Sequence, residues 1–249
     1  VGKHFGIHGF RKLRIDKQNE ASRLVYEQKK YPHADIDDIY RMLEKTTEYA
    51  VDWHYVKEYE IQMEKDALVA NEEMLEIFHY AKSAGKRVIA TSDMYLFAET
   101  LRNILKSRGF VGFDYIYCSA DEHKAKFDKS LFAHVAEQES VPFNEILHIG
   151  DKARDDGEFP SSFGIDTFVY ERECPLDKVK NAAASEIDNG LYKILYNEKK
   201  GFWYNLGIEA GGPLYTGLFL WLREKMNATN KKVFFLSRDG YNLYKICKD

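Results

Sequence analysis

Lys86-Arg87-Val88-Ile89-Ala90-Thr91-Ser92-Asp93 passes from two cations through a short apolar run into two hydroxyls and a carboxylate. Leu101, Ile104 and Leu105 follow at helical spacing. The combination predicts a buried strand that feeds a loop and then a helix. The same unit recurs downstream. Tyr115 to Cys118 reads as a strand, Lys129 to Gln138 as a helix, Ile146 to Ile149 as a strand, Asp156 to Phe163 as a helix and Thr167 to Tyr170 as a strand. Alternation of this kind specifies a parallel sheet covered by helices, so the expected class is α/β with a Rossmann-like sheet.

Upstream of Gly85 the texture is different. From Phe10 to about Ala84 apolar residues recur three and four apart: Ile39, Met42 and Leu43, then Val56, Tyr59, Ile61 and Met63, then Met74, Leu75, Phe78 and Ala81. That spacing predicts helices throughout, with Asp35 or Asp37 as one N-cap and Asn71 as another. The expected organisation is a helical cap over 1–70, an α/β core over 71–185 and a C-terminal segment over 186–249. In that last segment Gly201 to Met226 reads as an apolar helix beginning after Gly211-Gly212-Pro213, and Lys231 to Leu236 as one more strand.

Composition excludes several functions. The 249 residues carry 36 Lys+Arg against 40 Asp+Glu, a net charge of −4, which gives no bulk field to hold nucleic acid or an anionic membrane. Phosphate recognition, if present, must be local. Cys118, Cys174 and Cys247 are odd in number, far apart and without metal-like spacing, which fits a reducing compartment, with the cytoplasm as the expected location. Pro213 to Leu222 is about half the length of a bilayer span, and Val1 to Gly9 lacks the layout of a signal peptide, so no membrane role is expected.

Ligands of parallel α/β sheets bind outside the carboxyl ends of the strands, so the polar residues there are the candidates. Thr91 and Ser92 can hydrogen-bond a phosphate oxygen together with free N–H groups of the following helix, or simply cap that helix. Gly150-Asp151 followed by Asp156 offers two carboxylates suited to Mg²⁺, or else a turn residue and a cap. Among Lys124, Lys126 and Lys129 one lysine can reach a phosphate as a point charge, although such lysines are commonly just solvated.

In this order and at these strand ends, the three groups resemble the second, third and fourth motifs of the haloacid dehalogenase-like (HAD) superfamily. Val88 to Leu96, and His148 to Gly164 with its opening His-Ile-Gly-Asp-Lys, look most like members associated with bacterial surface-polysaccharide glycosyltransferases. The resemblance covers roughly Phe10 to Tyr170. It implies that Ser92, or else Thr91, binds the phosphoryl oxygen, that Lys126 neutralises nucleophile and phosphate, that Asp151 ligates Mg²⁺ and that Asp156 steadies the metal shell. The implied activity is Mg²⁺-dependent phosphomonoester hydrolysis through an aspartyl phosphate. A small phosphorylated metabolite such as a sugar phosphate is the implied substrate, and a glycosyltransferase the implied associate.

The resemblance also exposes a departure. The superfamily's first motif is an apolar strand ending Asp-x-Asp, central in the sheet and bonded on both sides. No such strand precedes the helices here, and the resemblance places it upstream of Val1. Val233 to Gly240 has a similar layout with Ser237 in the nucleophile's place and Asp239 in the acid's; it is read first as the start of a second, degenerate HAD-like unit, with filling the gap or an ordinary buried strand ending in an Asp-Gly turn as the alternatives. The competing expectation is a non-catalytic HAD-like scaffold that regulates or anchors a glycosyltransferase. His33, Trp53, His54 and Tyr55, on the helical cap, either face a substrate or pack.

Overall fold

Helices α1 (Gly2–Phe5) and α2 (Phe10–Lys29) open the chain, and the next three begin at side-chain caps. Asp35 accepts the Asp38 N–H at 2.8 Å before α3 (Ile36–Thr46). Asp52 accepts from the N–H groups of His54 (3.0 Å) and Tyr55 (3.2 Å) before α4 (Trp53–Ala67). Asn71 accepts the Met74 N–H at 3.3 Å before α5 (Glu72–Ser83). Each cap satisfies a donor that the helix leaves unpaired and contributes about 1 kcal/mol. The computed structural model describes residues 1–170, 200–229 and 244–245. By its internal contacts the chain falls into two units, Val1–Glu171 and Arg172–Asp249.

In the first unit α2, α3 and α4 close on Ile39, Leu43, Val56 and Trp53, all buried. The same cluster continues through Leu96, Leu101, Ile104 and Ile116, so the helical cap and the strand region share one apolar core. A charged pair lies inside it. Arg14 on α2 donates to Glu60 on α4 through Nε and Nη2 at 3.0–3.2 Å, and the Tyr40 hydroxyl donates to Glu60 at 2.5 Å.

Strand β1 (Ile89–Ser92) leads to α6 (Ala98–Ser107), β2 (Tyr115–Cys118), α7 (Ser119–Glu122) and α8 (Ser130–Glu139). A 3₁₀ turn at Phe143–Glu145 precedes β3 (Leu147–Gly150), and a π-helical turn (Ala153–Glu158) and α9 (Phe159–Ser161) lead to β4 (Asp166–Val169). β1 pairs parallel with β2 from Ile89↔Tyr115 to Ser92↔Cys118, and β3 pairs parallel with β4 from Leu147↔Asp166 to Gly150↔Val169. The strands form two separate pairs, so among the described residues β1 and β3 each leave one edge unbonded. Strands of parallel sheets are ordinarily buried on both faces. Here all four residues of β1 are only half-buried, and Leu147 of β3 is 62% exposed.

The helix expected from Asp156 to Phe163 is instead the π-helical turn followed by the single turn of α9. The α8 helix begins at Ser130, with Lys129 before it in the left-handed region at φ 68°. In the second unit the helical stretch runs from Gly201–Leu206 through a π-helical turn at Gly207–Gly211 into Gly212–Thr229, with Phe202, Trp203, Leu214 and Trp221 exposed. Among the described residues no helix is long and apolar enough to cross a membrane. The expected strand Lys231 to Leu236 and the pair Ser237 and Asp239 lie outside the described residues.

Candidate active site

Side chains alternate across a strand, so His148 and Gly150 face one side of β3 while Leu147 and Ile149 face the other. Asp156, only 2% exposed, returns from the π-helical turn onto the first of these sides. Its Oδ1 takes the Lys126 ammonium at 2.7 Å and lies 2.9 Å from His148 Nε2, while its Oδ2 accepts the Lys152 N–H at 3.1 Å. Burial alone would raise the Asp156 pKa. The bonds from His148 and Lys126 outweigh it and hold the carboxyl well below the usual carboxylate range. Gly150 makes room, since a Cβ there would stand 2.3 Å from Asp156 Cγ.

Lys126 is tied at its other end to the first strand pair. Asp93, just past β1, accepts the Lys126 N–H with both oxygens at 2.9 Å. Burial pushes the Asp93 carboxyl up, and the bond from Lys126 partly offsets that. One residue thus spans the carboxyl ends of β1 and β3, with its backbone on Asp93 and its side chain on Asp156. Ser92 and Thr91 are half-buried at the end of β1, and their hydroxyls have no hydrogen-bond partner among the described residues. Asp151 is exposed just past β3 and its carboxylate is likewise unengaged among those residues.

A family model described as haloacid dehalogenase-like hydrolase matches residues 5–164. The chain belongs to the haloacid dehalogenase-like hydrolases. Among solved structures, a dehalogenase with an intermediate complex is 22% identical, at TM-score 0.47, over 66% of this chain and 71% of its own. An L-2-haloacid dehalogenase is 16% identical, at TM-score 0.43, over 68% and 73%. No curated protein sequence matches the chain.

For this HAD-like chain the donor chemistry fits a hard cation. Mg²⁺ takes one or two carboxylates and fills its remaining positions with water and substrate phosphate, so a cluster of three or more acidic or His ligands, absent among the described residues, is not required. Asp151 is the carboxylate open to such an ion. Asp156 has its oxygens engaged by Lys126, His148 and the Lys152 N–H, and so is less open to an ion than Asp151.

Of the three lysines in the sequence-predicted group, only Lys126 enters the site. Lys124 is exposed, and Lys129 donates to Ser162 at 3.0 Å. The α6 helix starts only at Ala98, because a loop from Asp93 to Phe97 intervenes, and the Ala98 N–H is taken by Asp121 at 2.7 Å. Sequence reasoning passed over His148 and Asp93. Both carried a signal: a polar residue two before Gly150 on the same strand face, and a carboxylate directly after the Thr-Ser pair.

On the helical cap, Trp53 is buried in the apolar core, while His54 and Tyr55 are exposed. His33 packs on Phe127, the residue after Lys126.

Proposed function

We propose that this HAD-like chain is the body of a Mg²⁺-dependent phosphomonoester hydrolase acting on a small phosphorylated metabolite, such as a sugar phosphate, through an aspartyl phosphate. The observation that carries the reading is Lys126, fixed by Asp93 and Asp156 between the ends of β1 and β3, with Ser92 and Thr91, whose hydroxyls are unengaged among the described residues, at the end of β1. Phosphoryl transfer needs positioning and charge compensation more than covalent chemistry from most of its site. Lys126 supplies a fixed cation and Ser92 a donor to a phosphoryl oxygen, with Thr91 its alternate. Asp156 keeps Lys126 aimed through the 2.7 Å contact. Mg²⁺, when bound at Asp151, adds further neutralisation of the phosphoryl oxygens.

The nucleophile belongs, on this reading, to an Asp-x-Asp strand outside the described residues. The unbonded edges of β1 and β3 support a place for it, because a strand seated there would satisfy the N–H and C=O groups that both edges leave open. Cytoplasmic location and association with a glycosyltransferase go with the same proposal.

The absence of an Asp-x-Asp strand among the described residues favours a second reading, a non-catalytic scaffold in polysaccharide synthesis. Phosphate release from p-nitrophenyl phosphate and a panel of sugar phosphates, with Mg²⁺ and with a chelator, separates the two. Chelator-sensitive turnover supports the hydrolase, and none by the full-length protein from its source supports the scaffold.

A further inference from the structure

Two ring pairs join the helical cap to the loop that carries Lys126. Tyr31 stacks on His123 with centroids 3.8 Å apart and planes within 3° of parallel. His33 meets Phe127 edge-on, at 5.3 Å and 68°. Tyr31 and His33 lie on the link between α2 and α3, whereas His123 and Phe127 lie on either side of Lys126. The link is itself fastened. The Ala34 N–H donates to Ser22 Oγ at 3.3 Å, and the Ile36 N–H donates to the Tyr95 carbonyl at 2.8 Å, in the loop after β1.

The gripped loop is strained. His123 (φ 53°) and Lys129 (φ 68°) both sit in the left-handed region without being glycine. Such residues persist where surrounding contacts over-determine them. Among the described residues His33 Nε2 is enclosed without a hydrogen-bond partner, so the imidazole does not hold its place there through that nitrogen. What the ring does have is its edge contact with Phe127, the residue after Lys126.

We propose that Tyr31 and His33 are positioning residues, a two-ring clamp through which the cap keeps Lys126 on Asp156. The clamp is a property of the fold, and its effect on turnover rests on the phosphatase reading. The cap thereby sets the charge at the phosphate position without touching the phosphate.

Lysine labelling tests this directly. The full-length protein and its Y31A, H33A, Y31F and H33F variants are treated with an amine-reactive ester under native conditions, and labelling of each lysine is read by peptide mass mapping. Lys126, ion-paired and with a 13% exposed side chain, should label slowly in the wild type. In Y31A and H33A its rate should rise on the order of tenfold relative to Lys124, as a local opening would allow. The phenylalanine variants, which keep a ring at each position, should stay near wild type.

Unchanged Lys126 labelling in both alanine variants overturns the clamp. If every lysine accelerates together, the chain has loosened as a whole, and Y31L and H33L, which keep bulk, decide: a rise confined to Lys126 supports the clamp, and the wild-type rate overturns it. Where phosphatase activity exists, kcat should fall roughly tenfold in the alanine variants with KM within about twofold, the pattern of a misplaced catalytic group. Selective labelling with no phosphatase activity in any form, wild type included, keeps the clamp and overturns the phosphatase reading.

Discussion

Lys126 Nζ donates to Asp156 Oδ1 at 2.7 Å across the ends of two strand pairs that share no backbone hydrogen bond. His148 stands at the same oxygen at 2.9 Å, so one buried carboxylate faces two nitrogen groups. The arrangement keeps Asp156 ionised despite its burial, and the Asp156 carboxylate holds the Lys126 side chain in place at the candidate site.

Removing one member of such a pair leaves the other desolvated and uncompensated, which costs about 3–5 kcal/mol. Lys126→Met and Asp156→Ala should each lower the free energy of unfolding by an amount of that order in urea. The double variant should lose less than the two single losses added together, because the second change removes a charge already stranded. Strict additivity would show that the pair is not coupled.

Gly150 is required for space. A Cβ at that position meets Asp156 Cγ at 2.3 Å and Oδ2 at 2.5 Å, contacts that real side chains do not make. Gly150→Ala should therefore push Asp156 off Lys126 and His148. It should cost about 1–3 kcal/mol, the usual range for overpacking. A Gly150→Ala protein as stable as wild type in thermal melts would mean that Asp156 moves freely.

Much of the first unit was legible in residue patterns. The runs Val88 to Thr91, Tyr115 to Cys118, Ile146 to Ile149 and Thr167 to Tyr170 each place a strand to within a residue or two of its bounds. Asp35 and Asn71 are caps as expected. Local rules failed where a side chain made a distant or back-folded contact. The turn from Ala153 is π-helical, and within it Asp156 folds back to the Lys152 N–H and to His148 on the preceding strand. On α4 the buried positions are Trp53, Val56 and Glu60, whereas the apolar Met63 is 43% exposed. Helical spacing points to Glu60, but its charge reads as outward until Arg14, 46 residues earlier, is placed opposite it.

That pair makes its own prediction. Glu60→Gln should destabilise more than an exposed acidic substitution, because Arg14, itself 7% exposed, loses its counter-charge inside the cap core. The expected loss is about 3 kcal/mol or more in denaturant unfolding. Combining it with Arg14→Met should recover part of that loss, and no recovery would assign the effect to Tyr40, whose hydroxyl also donates to Glu60.

Alkaline stability should report on Tyr95. Burial, and then the nearby carboxylates of Glu64 and Glu60, push its phenol up to about 12, against about 10 in an unfolded chain. The folded state therefore holds this proton longer. Its contribution is fully present below about pH 10 and is lost as pH rises towards 12. Unfolding free energies measured from pH 9 to 12 should fall more steeply for wild type than for Tyr95→Phe, which has no proton to lose there. Parallel curves would mean that Tyr95 titrates alike in both states.

Asp151 separates the catalytic reading from the scaffold most sharply, because it is exposed and makes no hydrogen bond or ion pair among the described residues. A surface carboxylate of this kind contributes little to stability, so Asp151→Asn should unfold within about 0.5 kcal/mol of wild type. If Asp151 holds Mg²⁺, the substitution replaces a charged hard-oxygen ligand with a neutral amide, and Mg²⁺-dependent phosphate release should fall by two orders of magnitude or so, beyond the roughly 10–100-fold typical of outer-shell changes. Titration calorimetry with Mg²⁺ alone should show the same loss of binding. Full turnover with unaltered Mg²⁺ binding in Asp151→Asn would remove Asp151 from the metal site and leave Lys126 and Asp156 as a structural bridge between the strand pairs.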